Sequence, residues 1–240
     1  MKKFHFITLI TMFCGIHVFA QNAFQTQNVY TGYAVNGGDV VLPTYKANSE
    51  VEGNPYFSKD WVKGSVQTND NQQFSKKLLF MYDKVAGTLY FKNADSTTIM
   101  EADQTKIYSF ILITDKPHTF MRGDIFSKDY AGKFVEALVY DDKKYSLVKY
   151  TITSFQEPET SKASQAMTQS ISYGKYVDKV TYFLAYDNSL HPVELKKKSF
   201  PKAFKPNDVS KAEDYVKNTG GNFNEAYAIL MLDSINSSIQ

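Results

Sequence analysis

From Gly132 to Ile152 the chain alternates between apolar and polar stretches in a way that sets the reading of the rest. Gly-Lys-Phe-Val-Glu-Ala-Leu-Val-Tyr is followed by Asp-Asp-Lys-Lys and then by Tyr-Ser-Leu-Val-Lys-Tyr-Thr-Ile. Two runs rich in β-branched and aromatic residues around a short polar break read as a β-hairpin. The style recurs. Met81-Tyr82-Asp83-Lys84 leads through Ala86-Gly87 into Thr88 to Phe91, and Phe183 to Asn188 leads into Leu190 to Leu195. Each first strand ends in Tyr-Asp, and Asp starts turns by accepting from backbone N–H groups two residues on. Three such hairpins predict an antiparallel sheet.

The intervening chain fits the same scheme. Val29 to Pro43, with Asn36-Gly37-Gly38-Asp39 at its centre, reads as a hairpin with a glycine turn. Gly53-Asn54-Pro55-Tyr56 is a turn, Asp60 to Val66 a strand, and Ile99-Met100 a short strand. Lys106 to Thr114 is apolar on both faces, which predicts a central or doubly covered strand. Gln156 to Ser170 has little apolar content and reads as a long surface loop. In the tail the period changes. Asp208 or Ser210 can cap a helix from Lys211 to Asn218, stopped by Gly220-Gly221. Asn222 or Asn224 opens a second helix through Ile235, with Tyr227, Leu230, Met231 and Ser234 on its stripe. The expected fold is mainly β, an antiparallel barrel-like or sandwich sheet built from hairpins. It spans residues 21–198, with a small C-terminal helical pair over residues 199–240 packed on the same domain.

The first twenty residues change the picture of where such a sheet works. Lys2 and Lys3 precede an apolar run from Phe6 to Phe13, and Val18-Phe19-Ala20 supplies a cleavage site, so residues 1–20 read as a signal peptide. Phe13 before Cys14 is too large for a lipidation site. Nothing after Ala20 approaches the ~20 apolar residues of a membrane-spanning helix, so no transmembrane segment is expected. Losing Lys2 and Lys3 leaves 25 basic residues against 25 acidic ones. A neutral chain gives no support for nucleic acid as a partner. Arg122 is the single arginine, which speaks against a site built to clamp phosphate. After Ala20 no cysteine remains, so the exported chain is held by its core alone.

Gly53-Asn54-Pro55-Tyr56 followed by Trp61-Val62-Lys63-Gly64-Ser65-Val66 resembles the opening of secreted β-rich proteins common in Bacteroidota, mostly of uncharacterised function. Glu194 to Phe200 and the Asp214-Tyr215-Val216 helix are similar to their Lys-rich last strand and two short C-terminal helices. The resemblance spans roughly Gly53 to Asn236. It implies export into a Gram-negative envelope, in the periplasm or in association with the outer membrane, and carries over no catalytic residue.

Candidate chemistry is sparse. His118 and His191 are the two histidines after the leader, 73 positions apart, and each lies beside a proline (Pro117, Pro192), so both read as turn residues. With no cysteine and no histidine pair, no metal and no cofactor are expected. Asp83, Asp141 and Asp142 sit where turns use aspartate anyway. No Gly-x-Ser-x-Gly elbow is present, and no catalytic residue is assigned. Glu136 is the acid to inspect, because it interrupts an apolar strand; the ordinary expectation is a solvent-facing side chain. Arg122-Gly123-Asp124 spells an adhesion tripeptide, and the ordinary reading is a tight turn using Gly123. The 17 Tyr, 18 Phe and one Trp are the stronger compositional signal. Strands use aromatics for packing first, but Tyr and Trp also make flat contacts for partners. Trp61, Tyr56 and Phe57 form the candidate binding cluster. The expected function is an exported, non-enzymatic envelope protein that binds other proteins, such as an accessory subunit of an outer-membrane assembly. Two alternatives stand beside it, a carrier of an apolar or glycan small-molecule ligand and a hydrolase of envelope polymers.

Overall fold

The hairpins read from the sequence are the frame of the molecule. The computed structural model describes residues 42–43, 51–157 and 174–239. The expected leader and nearly all of the Val29–Pro43 hairpin lie outside those residues, as does the expected surface loop beyond Glu157. In chain order the strands are β1 (Val62–Thr68), β2 (Gln73–Phe74), β3 (Leu78–Asp83), β4 (Thr88–Asn93) and β5 (Met100–Glu101). They continue with β6 (Ile107–Ile113), β7 (Pro117–Arg122), β8 (Phe134–Val139), β9 (Ser146–Gln156), β10 (Lys175–Tyr186) and β11 (Ser189–Val193). Two helices follow, α1 (Pro206–Asn218) and α2 (Glu225–Ser238). The strands form one antiparallel sheet in the order β11-β10-β9-β8-β7-β6-β1-β3-β4-β5, with β2 paired to β1. The fold is mainly β, and the sheet is open, not closed into a barrel.

Two of the three Tyr-Asp turns work as expected. Asp83 Oδ1 accepts from the N–H groups of Val85 and Ala86, and Asp141 Oδ1 from those of Lys143 and Lys144, all at 2.9 Å. Asp187 differs. It and Asn188 both have positive φ (51° and 55°), a two-residue turn matched to strand twist, and its carboxylate takes Lys205 Nζ at 2.7 Å instead. The histidines also depart from expectation. His118 lies in β7 and His191 in β11. Pro117 is the first residue of its strand and Pro192 sits on an edge strand, the positions where a sheet tolerates the missing N–H.

Strand β6 is central, but only one of its faces is sealed. Ile107, Phe110 and Leu112 are buried, whereas Ile113 is 47% exposed on the other side. The buried side chains join Phe80, Tyr82, Leu89, Phe120 and Phe134 in a ring-rich core. Farther along the same face, Leu147 and Leu184 are covered by α1 and α2 through Ala212, Ala228, Met231 and Leu232. On the opposite face Phe126 and Tyr130 cap Val148 and Phe183.

The helices differ in detail from the expectation. Helix α1 begins at Pro206, five residues early, because proline suits the first helical turn. Asn224 caps α2 by accepting from the Tyr227 N–H. The buried stripe of α2 is Tyr227, Ala228, Met231, Leu232, Ile235 and Asn236, and Leu230 is 62% exposed. The Ala-Ile-Leu-Met-Leu run is apolar on every side, so its period alone does not pick the docked face. Asn236 decides it. Its side-chain amide accepts from the Tyr145 N–H at 3.1 Å and donates to the Tyr145 C=O at 2.8 Å, pinning the helix to the start of β9.

A strap ahead of β1 joins distant parts of the sheet. Glu52 N–H donates to Gly174 O, and Tyr176 N–H donates to Glu52 O. A few residues on, Phe57 N–H donates to Tyr82 O and Lys84 N–H to Pro55 O. Gly53 has φ +79°, and a Cβ there would meet the Tyr176 carbonyl at 2.5 Å, so only glycine lets the strap lie this close to β10.

Candidate functional site

Cross-strand register builds the most polar part of the interior. Phe120 pairs with Glu136, Glu136 with Lys149, and Lys149 with Tyr182, so all four share one sheet face across β7, β8, β9 and β10. His118 follows the same face two residues from Phe120. The N-terminus of α2 then brings Glu225 over this row. The cluster occupies the seam between the ring-rich core and the helix-covered core.

Its geometry is a continuous chain of polar contacts. His118 Nδ1 donates to Glu136 Oε1 at 2.7 Å, and Lys149 Nζ donates to Glu136 Oε2 at 2.7 Å. Lys149 Nζ also reaches Glu225 Oε2 at 3.4 Å, and Tyr182 donates its hydroxyl to the same oxygen at 3.0 Å. At the rim, Lys116 Nζ is 3.8 Å from Glu225 and His118 Nε2 is 3.6 Å from Asp115. Phe57 closes one wall, edge-on to His118 with centroids 4.9 Å apart. Burial pulls the Lys149 ammonium down, but the hydrogen bond and charge of Glu136, and then the charge of Glu225, outweigh it and leave its pKa raised. Burial raises the Tyr182 phenol, and Glu225 adds to the effect.

Glu136 is therefore buried, 5% exposed, and not the solvent-facing side chain expected of it. Both of its oxygens are occupied. His118 has a carboxylate at each ring nitrogen, so no hydroxyl is presented to it in the manner of a nucleophile and base. The arrangement neutralises charges and fastens α2 to the sheet. Among the described residues, no group of three or more His, Cys, Asp or Glu is placed to hold a metal ion.

The aromatic trio is divided among different tasks. Phe57 packs against the ring-rich core and stands edge-on to Phe120 at 5.1 Å. Tyr56 donates its hydroxyl to Pro43 O at 3.1 Å and bridges Asp83 through the backbone. Trp61 lies under the Lys92 ammonium, 5.0 Å from the ring centroid. In the Arg-Gly-Asp tripeptide the arginine and aspartate bind each other. Arg122 Nε donates to Asp124 Oδ1 at 2.9 Å and the other guanidinium arm reaches Oδ2. Gly123 is buried in a 3₁₀ turn, where a Cβ would strike Tyr130.

Of the network, sequence reading singled out Glu136 and placed His118 in a turn; it missed Lys149, Tyr182 and Glu225. A usable signal existed for Lys149, since Glu136 is the lone charge between Phe134 and Tyr140 and Lys149 the lone charge between Tyr145 and Ile152 of one predicted hairpin. No comparable signal marks Glu225, because acidic residues are ordinary in a first helical turn. No protein-family model, curated protein or solved structure matches the chain.

Proposed function

We propose that this is an exported, non-enzymatic protein of a Gram-negative envelope, in the periplasm or associated with the outer membrane, that binds another protein there as an accessory subunit. The charged groups with chemical potential are tied up in a network that docks α2, which gives a hydrolase little to work with. The face that a carrier would hollow out is packed with Phe80, Phe110, Phe120 and Phe134.

The observation that carries the reading is the outer edge of β10. That strand pairs with β9 along Lys175–Ala185, while β11 covers only Tyr182–Tyr186 and the Glu52 strap reaches only Lys175 and Tyr176. Among the described residues, no strand lies against the outer side of Val177–Thr181. An open length of main chain between two paired ends accepts an extended segment of a partner by strand addition. Val180, 43% exposed, offers an apolar side chain beside it.

Tyr176 points its N–H outward to Glu52, and by the two-residue period so does Val180. Val180→Pro therefore removes an outward donor without taking a ladder bond from β9. Gentle detergent extraction, size separation and mass spectrometry should find the native protein in a stoichiometric complex, and the Val180→Pro protein, equally folded, free of it. A native protein that migrates alone at its own mass refutes the reading. A complex that survives the substitution moves the interface away from β10.

A further inference from the structure

The β8–β9 and β10–β11 turns lie side by side and enclose a cleft of about 380 Å³, apart from both the charged network and the β10 edge. Its volume is at the small end of the ~300–1,000 Å³ of small-molecule sites, enough for one or two sugar rings. Phe126 forms part of the lining and is itself buried. Tyr140, also in the lining, is 42% exposed yet fixed in place. Its hydroxyl is 3.3 Å from that of Tyr108, and its ring stands at 90° to Phe126 with centroids 5.8 Å apart. An exposed ring held from two sides is a rigid plate.

The polar lining sorts into spent and unspent groups. Asp141 spends Oδ1 on the amides of its own turn, which holds that carboxylate in place. Lys144 donates to the carbonyls of Asn236 and Ile239 at the end of α2, and Asp187 pairs with Lys205. Asp142, Lys143 and Asn188 line the cleft with their side chains unengaged among the described residues. What is left over is one carboxylate, one ammonium and one amide around an aromatic plate. The set has no net charge and contains both donors and acceptors. An anion needs an excess of cations, a metal needs more free carboxylates, and an apolar ligand would strand three polar groups. A neutral polyhydroxylated ring satisfies all of it, with its C–H face on Tyr140 and its hydroxyls on the rim.

We propose that this cleft binds a neutral saccharide, with Tyr140 as the stacking platform and Asp142, Lys143 and Asn188 as hydrogen-bonding partners. The test is a ¹H–¹⁵N titration of the protein with cellobiose, N,N′-diacetylchitobiose and galactose at millimolar concentration, with Ca²⁺ as a separate arm. At least one sugar should give saturable shifts confined to the two turns. Tyr140→Ala should weaken that sugar about tenfold, and Tyr140→Phe, which keeps the plate, less than about twofold. Asp142→Ala with Asn188→Gly, which preserves the positive-φ turn, should weaken it several-fold without touching the ring. The proposal is overturned if no sugar saturates, if only Ca²⁺ shifts the turns, or if binding is unchanged in both the Tyr140→Ala and the rim variants.

Discussion

Replacing Glu136 by Gln asks whether the charged row holds the fold together. Glu136 is 5% exposed and accepts two hydrogen bonds at 2.7 Å, one from the Lys149 ammonium and one from the His118 ring. Gln keeps the shape but removes the negative charge facing Lys149, and its single carbonyl oxygen can serve either Lys149 or His118, not both. Breaking a buried ion pair from one side costs about 3–5 kcal/mol when the remaining charge is stranded. Here Lys149 keeps Glu225 at 3.4 Å and its side chain is 18% exposed. The expected loss is therefore smaller, about 2 kcal/mol, or about 4–8 °C in Tm for a chain of this size. The control is Lys196→Met. Lys196 and Glu194 are also close, at 2.8 Å, but their side chains are 69% and 65% exposed. Nearly equal distance with opposite burial should give no measurable change there. Urea and thermal melts at neutral pH read both variants. Adding Lys149→Met to Glu136→Gln should cost less than the sum of the two, with a coupling of about 1–2 kcal/mol. If Glu136→Gln melts like Lys196→Met, or if the pair is additive, the network does not hold the fold.

Three further predictions rest on separate contacts. Gly53→Ala places a side chain at φ +79° and 2.5 Å from the Tyr176 carbonyl; it should cost about 2 kcal/mol or more, and an unchanged Tm would show that the strap is not held. Asn236→Ala leaves the buried N–H and C=O of Tyr145 without their partner and should cost about 2–4 kcal/mol; a denaturant midpoint equal to the parent's would refute that account of α2 docking. Burial first, then neighbouring carboxylates, pushes the Tyr90 phenol up to about 12 and the Tyr145 phenol higher still; Tyr82 rises with burial, Tyr150 and Asp83. A folded pKa above the unfolded ~10 means stability is complete below pH ~10 and falls as pH rises toward the folded values. Absorbance at 295 nm should show a late ionising group of tyrosines whose onset coincides with loss of near-ultraviolet dichroism. Simple ionisation of all tyrosines near pH 10 with dichroism retained would contradict the burial.

The hairpins were legible because local chemistry fixes them. Asp83 and Asp141 make the amide contacts that their Tyr-Asp context promises, and Asn224, one of the two asparagines offered as caps, is the one that accepts from the Tyr227 N–H. What escaped depends on neighbours from elsewhere in the chain. Pro117 and Pro192 read as turns until the topology puts one at a strand start and the other on an edge. The rotation of α2 is set by Asn236 finding Tyr145, ninety-one positions away, and no periodicity in Ala-Ile-Leu-Met-Leu contains that fact.

The charged row extends the same reasoning to function. A lone Glu in an apolar strand has two outcomes, a solvent-facing residue or a buried one that has found its counter-charges, and only the register decides. Here the register places Lys149 directly across from Glu136, and both oxygens of the acid are consumed. Glu136 therefore presents no unpartnered oxygen of the kind an acid or base at work offers to a substrate. The polar groups left unspent lie at the opposite extreme of exposure. Among the described residues they include the turn side chains Asp142, Lys143 and Asn188 and the outer main chain of Val177–Thr181. The two proposed recognition surfaces, the β10 edge and the Tyr140 cleft, are separable by mutation. Val180→Pro should leave sugar binding at Tyr140 intact, and Tyr140→Ala should leave the complex intact. Loss of both activities in either variant would mean one shared surface in place of two.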